Sequence, residues 1–286
     1  MAGFEHTTIV GVGLIGGSVG LALKARGLAS EVVGVGHRES TLKKAQERGA
    51  VDRWTLDAAE GAAGADLVVL CTPVGLVADK AAEVLPAMKP GSILTDVAST
   101  KSALTERIEA VLPESVAFVP AHPMAGSEKR GIENARADLF EGARCILTPT
   151  ARTPVEAVGV VCEIWRGVGA VVEKLDIAEH DRIVAQISHL PHVVASALVN
   201  SVKEALPYAA TGFRDTTRIA GGDPGLWIDI FRDNRENVLA TLGLFLREVR
   251  EACDALENAD WDTLRGLLER ARERRNKLDS PGSDGE

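Results

Sequence analysis

His122-Pro123-Met124-Ala125-Gly126-Ser127-Glu128 sets an imidazole at the end of a short apolar run, just before a Pro/Gly loop. An imidazole there can take a hydroxyl proton near neutral pH, as the oxidation of an alcohol requires. A lone histidine is more often structural, but the strand-end position and the company of Ser99 and Glu128 favour chemistry. Ser99 lies in Asp96-Val97-Ala98-Ser99-Thr100-Lys101, where it can serve as a helix N-cap, a ligand contact or both. Ser188-His189-Leu190-Pro191-His192 puts two histidines three apart on one helix face, with His180 off that face. With no carboxylate or cysteine partners at suitable spacing, no metal is expected, and one of the pair is read as a polar substrate contact. Arg218, amid Thr216-Thr217-Arg218-Ile219-Ala220, reads as a bidentate carboxylate clamp or as an ordinary salt bridge to an Asp such as Asp215.

A second constellation concerns phosphate. Gly11-x-Gly13-x-x-Gly16 follows an apolar run directly and opens an amphipathic stretch, so Leu14, Ile15 and Gly16 begin a helix whose N-terminus can receive a pyrophosphate. About twenty positions after Gly16, where an acidic residue would bind a ribose 2′-hydroxyl, stand Gly36, His37 and Arg38, with Ser40 close by. A guanidinium in place of a carboxylate favours NADP over NAD. The alternative is that Arg38 is a solvated charge, or stacks on adenine, and NAD binds. Thr72-Pro73 ends another apolar run, at the sheet edge where open α/β folds bind ligands.

The elements that must position these groups follow from periodicity. Short apolar runs at Thr8–Val12, Val32–Val35, Leu67–Cys71, Ser92–Thr95, Ala117–Val119 and Cys145–Leu147 alternate with helical stretches. Unbroken runs such as Leu67-Val68-Val69-Leu70 suit a sheet buried on both faces, hence a Rossmann-type doubly wound α/β unit over residues 1–150. Thr148-Pro149-Thr150-Ala151-Arg152-Thr153-Pro154 marks the boundary. Beyond it come one further short strand at Ala170–Val172 and an all-α domain, residues 151–279. Its expected helices are Asp176–Leu206 bent at Pro191, Pro224–Leu256, and Trp261–Arg274 capped by Asp260 or Asn258. Residues 280–286 are expected to be a disordered tail. Apolar faces on helices this long predict a homodimer through the helical domain.

Composition excludes several classes. The formal net charge of −9 argues against nucleic acid or an anionic membrane as partner. The stretch Ile9–Leu23 is not a signal peptide, because five glycines interrupt it and no Lys or Arg precedes Lys24. No apolar run is long and uninterrupted enough to span a bilayer. Cys71, Cys145, Cys162 and Cys253 lack disulfide or zinc spacing and read as reduced core thiols, so a soluble cytoplasmic protein is expected.

In order and approximate spacing, the GVGLIGGS loop, the Asp96–Lys101 segment, the HPMAGSE loop, SHLPH and the TRIA…DP…W stretch resemble the prephenate/arogenate dehydrogenase family across roughly residues 7–275. The resemblance implies NAD(P)-dependent oxidative decarboxylation of a cyclohexadienol. His122 would be the general base, with Ser99 bonded to it or to the substrate hydroxyl. Arg218 would bind the ring carboxylate, His192 the far end of the substrate, and Glu128 would order that polar cluster. His189 and Trp227 match motif positions and are either site or structural residues. Many members carry an Asp where Gly36-His37-Arg38 stands. Neither a chorismate mutase segment before the glycine loop nor a regulatory domain after the helices is expected. A β-hydroxyacid or 6-phosphogluconate-type dehydrogenase would show a lysine followed four residues on by asparagine. Lys174 is followed by Ala178 and Lys203 by Pro207. A non-catalytic nucleotide sensor would need the glycine loop but not His122, Ser99 and Arg218.

Overall fold

The computed structural model describes residues 4–126 and 129–279, so Glu128 and the expected tail lie outside the described residues. The chain begins β1 (Phe4–Val10), α1 (Leu14–Ala25), β2 (Ala29–Val35), α2 (Glu39–Glu47), β3 (Arg53–Thr55), α3 (Ala58–Ala62), β4 (Leu67–Leu70), α4 (Val74–Val84), β5 (Ile93–Asp96), α5 (Ser102–Glu109) and β6 (Ala117–Val119). The six strands pair in parallel in the order β3-β2-β1-β4-β5-β6. All four residues of β4 are buried, as a sheet covered on both faces requires. Strand order reverses between β1 and β4, which opens a crevice at their carboxyl ends.

At Pro120 the chain leaves this sheet. Proline has no N–H to continue the ladder, and β7 (Ala121–Pro123) instead pairs antiparallel with β8 (Arg144–Leu147). The Cys145–Leu147 run therefore belongs to a separate three-stranded sheet, β7-β8-β9, rather than to the doubly wound one. After α6 (Val155–Gly167), β9 (Val171–Lys174) pairs with β8 across the expected boundary at residue 150.

The helical run is more broken than its periodicity predicts. α7 (Ile177–Val184) and α8 (Leu190–Ser201) are joined by a π turn, Ala185–His189, just ahead of Pro191. Pro191 cannot donate to the preceding turn, and the wider winding absorbs the missing hydrogen bond. The helix ends at Ser201 and not at Leu206. α9 (Thr211–Thr217) follows, then a 3₁₀ turn, Arg218–Gly221. The expected helix Pro224–Leu256 is two, α10 (Pro224–Asp233) and α11 (Arg235–Glu257), parted at Asn234. Asp260, not Asn258, caps α12 (Trp261–Asp279) by accepting from the Thr263 N–H at 3.0 Å.

The run Ile177–Ser201 reaches the length and mean hydropathy, 1.2, of a spanning helix, contrary to the reading of the sequence. Its His180, Asp181, His189 and His192 are nevertheless buried within the fold. Cys145 and Cys162 are core residues, but Cys253 is exposed, so the four thiols do not share one environment. The chain divides into two compact units, one up to Asn237 and one from Val238. Every described candidate site residue lies in the first.

Candidate active site

The phosphate-binding half forms at the β1–α1 turn. Gly11 sits at φ +96°, and a Cβ there would lie 2.8 Å from the Cys71 carbonyl, so only glycine lets β1 and β4 approach this closely. A Cβ at Gly16 would strike the Gly11 carbonyl, which fixes how tightly α1 leaves the turn. A Cβ at Gly13 would instead project into open space, toward the cleft. Gly13 caps α1 without a side chain, leaving the helix N-terminus directed at a ligand position.

The cleft has a volume of about 510 Å³ and is lined by Gly11, Gly13, His37, Arg38, Thr72 and Pro73, together with Thr41, Leu56, Leu76 and Lys80. Ser40 does not line it. One step along α2 turns the next side chain by about 100°, so Thr41 faces the cleft in its place. The Thr72 hydroxyl is buried without a hydrogen-bond partner among the described residues. An exposed guanidinium, an orphaned hydroxyl, a glycine cradle and an apolar wall of Leu56 and Leu76 fit a dinucleotide. Ile15 does not line this cleft; its Cδ1 lies 3.8 Å from where a Gly126 Cβ would stand, in the loop after His122.

His122 lies in the middle of β7, buried and paired with Ile146, and not at the end of a strand as the sequence suggested. Ala121 donates its N–H to Asp96 at 3.2 Å, which ties β7 to the end of β5. Asp96 also pairs with Lys101, both wholly buried, so this pair balances its own charge. Burial first, and then the electrostatic influence of the neighbouring His180 ring and Lys101 ammonium, push the His122 pKa well below the usual histidine value. The ring is therefore neutral at physiological pH, as a base must be.

Ser99 is half-buried just beyond the end of β5 and makes no hydrogen bond to His122 among the described residues; Nδ1 of that ring lies 2.8 Å from Nε2 of His180. Nor is Ser99 the cap of α5. Asp181 performs that task from outside, accepting the N–H groups of Lys101 at 2.9 Å and Ser102 at 2.8 Å. Of the sequence's two options for Ser99, contact with a substrate hydroxyl is the one left open.

His192 stacks on Trp227 with centroids 3.7 Å apart and planes 13° from parallel, while His189 meets the same indole edge-on at 6.2 Å. Gly222 is needed beside them, since a Cβ there would strike the indole nitrogen and lie 3.1 Å from His192. His189 Nδ1 lies 3.2 Å from the Asn234 amide nitrogen, which also donates to the Asp181 carbonyl at 2.7 Å. His189 Nε2 and His192 Nδ1 are buried with no partner among the described residues, as expected of groups that await a polar ligand. Arg218 opens the 3₁₀ turn that packs on α8 and is solvent-exposed. Arg130 joins the loop after His122 to Asp223 at 3.0 Å, and Asp223 caps α10.

The sequence reading missed His180, Asp181 and Asn234. Two adjacent polar residues, His180-Asp181, next to the buried stripe Val184, Ala185 and His189 are the signal that could have found the first two. Nothing local marks Asn234 within a helical pattern.

These neutral histidines bear on stability. Burial lowers His189 to about 4 and also holds His122 well below the usual histidine value. Both bind protons more weakly folded than unfolded, so the stabilisation is complete above the unfolded value near 6.5 and is lost as pH falls toward 4. For His189 alone the loss is about 3 kcal/mol. Urea midpoints measured from pH 7 to pH 4 should fall steeply in wild type and less steeply in His189→Gln. Equal slopes would mean that His189 is not held neutral.

The comparisons with known proteins agree with this arrangement. Residues 19–174 match the family model described as prephenate dehydrogenase, nucleotide-binding domain, and residues 176–270 the one described as prephenate dehydrogenase, dimerization domain. A cyclohexadienyl dehydrogenase of Zymomonas mobilis is 35% identical over 272 residues, covering 92% of each chain. The structure of prephenate dehydrogenase from Aquifex aeolicus in complex with hydroxyphenyl propionate and NAD+ matches with a TM-score of 0.91 and 32% identity, over 96% of this chain and 98% of that one. Synechocystis arogenate dehydrogenase matches with a TM-score of 0.82 and 32% identity, over 96% and 100%. A glycine-cradled cleft and a buried neutral histidine are thus found in a chain whose two halves match two consecutive domains, and the chain belongs to the prephenate dehydrogenase family.

Proposed function

We propose that this chain oxidises and decarboxylates prephenate or arogenate with NAD(P), and that His122 is its general base. The observation that carries the reading is the buried, neutral imidazole of His122 on β7, which the Ala121–Asp96 hydrogen bond ties to the carboxyl end of β5. It is supported by family membership and by the relatives' names.

When bound, the nicotinamide supplies the hydride acceptor. Gly11, Gly13 and the α1 N-terminus hold the pyrophosphate, and Thr72 and Pro73 border the cleft. Nε2 of His122 takes the substrate's hydroxyl proton as the carbinol C–H bond breaks, and Ser99 orients that hydroxyl. Loss of carbon dioxide then sends the C–C bonding pair into the ring, which becomes aromatic, and His122 returns its proton to the ring oxygen. Arg218 holds the ring carboxylate, while His192 and His189, stacked about Trp227, contact the far end of the substrate. Residues 1–150 hold the nucleotide and supply His122 and Ser99, and the helical residues 151–279 supply the other substrate contacts. Leu239, Leu244, Leu246, Val249, Trp261 and Leu268 stay exposed on α11 and α12, and a second copy of the chain covers them in a cytoplasmic homodimer.

NADP is the preferred cofactor in this reading. Gly36 offers no carboxylate to repel a 2′-phosphate, while His37, Arg38 and Lys80 line the same cleft. Arg38 is exposed and therefore screened, so the preference in kcat/KM is less than about tenfold and shrinks as salt rises. Steady-state kinetics with both substrates against both cofactors tests the proposal. Gly36→Asp should reverse the preference once the Leu42 side chain, 3.2 Å from the new Cβ, gives way. Higher wild-type efficiency with NAD would remove the NADP assignment, and no turnover of either substrate would remove the function.

A further inference from the structure

Behind His122 stand two buried polar side chains that lie outside the HPMAGSE and SHLPH segments of this sequence. Nδ1 of His122 is 2.8 Å from Nε2 of His180, and Nδ1 of His180 is 2.9 Å from Oδ1 of Asp181. The three residues are 8%, 0% and 1% exposed. Resting on the reading of His122 as the base, we propose that His180, oriented by Asp181, is its positioning residue: it holds the His122 proton on Nδ1, keeps the Nε2 lone pair for the substrate, and accepts the Nδ1 proton when Nε2 is protonated.

The tautomers follow by elimination. Burial alone would raise the Asp181 pKa, but the hydrogen bonds from His180, Ser102 and Lys101 outweigh it and hold the carboxyl ionised. A carboxylate only accepts, so His180 must carry its proton on Nδ1. The Nε2 of a neutral His180 is then an acceptor, and the contact at 2.8 Å needs the proton of His122 Nδ1. Nε2 of His122 is left with its lone pair. A free neutral imidazole prefers its proton on Nε2, which would be the wrong tautomer for a base here.

The same chain can move charge. The substrate O–H bond breaks and its proton binds Nε2 of His122. The Nδ1–H bond of His122 then breaks, and that proton passes to Nε2 of His180, whose own Nδ1–H stays on Asp181. The positive charge thereby comes to rest against a carboxylate, and the reverse transfers restore the base. The surrounding groups favour this direction. The Lys101–Asp96 pair at the end of β5 faces His122 with its ammonium, and Cys145 of β8 is pushed up by burial and stays a neutral thiol. His189, of the π turn, is neutral, and Asn234, between α10 and α11, presents only an amide. If His180 were already protonated, its Nε2–H would donate to His122 Nδ1 and move the remaining His122 proton to Nε2. The acid limb of kcat/KM therefore belongs to the pair.

His180→Gln and His180→Phe test the proposal on the full-length protein. The Gln side-chain oxygen can accept from Nδ1–H but cannot take the proton; Phe can do neither. Nitrogen-15 imidazole spectra of the purified protein, with the His122 signals assigned by their loss in His122→Asn, should show Nδ1–H in wild type and His180→Gln, and Nε2–H in His180→Phe. With substrate, kcat should fall about tenfold in His180→Gln and about 10²-fold or more in His180→Phe, with the cofactor KM unchanged. The acid limb in His180→Gln should move to lower pH, because the second proton acceptor is gone, whereas a merely structural role would leave it in place. An Nε2–H tautomer in folded wild type, or wild-type kcat and acid limb in His180→Gln, would overturn the proposal. The tautomer is read without substrate, so an Nδ1–H signal in a protein that turns over neither prephenate nor arogenate would sink the functional reading and leave the positioning of His122 standing.

Discussion

His122→Asn is expected to keep dinucleotide binding and to lower kcat by about 10²–10⁴, the contribution of a positioned acid/base group. The substitution is chosen for what it preserves. The Asn amide can still donate toward His180 Nε2, which His122 Nδ1 meets at 2.8 Å, so the hydrogen bond at the back of the ring is kept. What disappears is Nε2 and its lone pair. Burial already holds the wild-type ring neutral, so no charge is removed and the surrounding Lys101–Asp96 pair is undisturbed. Titration of cofactor into the variant should give a dissociation constant near the wild-type one, while single-turnover rates collapse. A folded variant with near-normal kcat would take His122 out of the mechanism.

Arg218→Ala should act on the other kinetic constant. A guanidinium that holds the ring carboxylate in both ground and transition states contributes uniform binding, so its loss raises KM with little change in kcat. The side chain is solvent-exposed, which places the effect at the low end of the range for a charged pair, about 2 kcal/mol or roughly 30-fold in KM. Arg218→Lys should recover only part of this, because an ammonium cannot bond both carboxylate oxygens in one plane. An unchanged KM with a lowered melting temperature would assign Arg218 to a structural ion pair.

Where these groups lie was legible to different depths. The β1–Gly11–α1 unit could be read because a buried parallel strand, a glycine turn and an amphipathic helix each leave a local mark. The sequence places His122 at the end of the Ala117–Val119 run, whereas a new strand starts after Pro120 and the structure sets His122 in the middle of β7, paired with Ile146. The polar partner of His122 could not be read, since His180 is 58 positions away and is brought to it only when α7 packs behind β7. Asn234 was hidden inside an apolar pattern that runs on through Val238, and only the break between α10 and α11 exposes it. Pro191 correctly signalled a disturbance of its helix, but the response is a π turn at Ala185–His189, a choice that propensities do not encode. Thr41 and not Ser40 lines the cleft, a shift of one residue that on a helix is enough to change the face. The second sheet was missed because Cys145–Leu147 is apolar and short like the strands of the first. Pro120 and its missing N–H decide that β7 and β8 pair elsewhere.

The central claim, oxidation coupled to decarboxylation, is tested most directly by following one reaction of the purified protein with prephenate and NADP, and quantifying reduced cofactor, carbon dioxide and aromatic product together. Equimolar amounts of all three, at a rate lost in His122→Asn, are the expected result. Reduced cofactor without carbon dioxide, or tight cofactor binding with no reduction of it by prephenate or arogenate, would contradict the account.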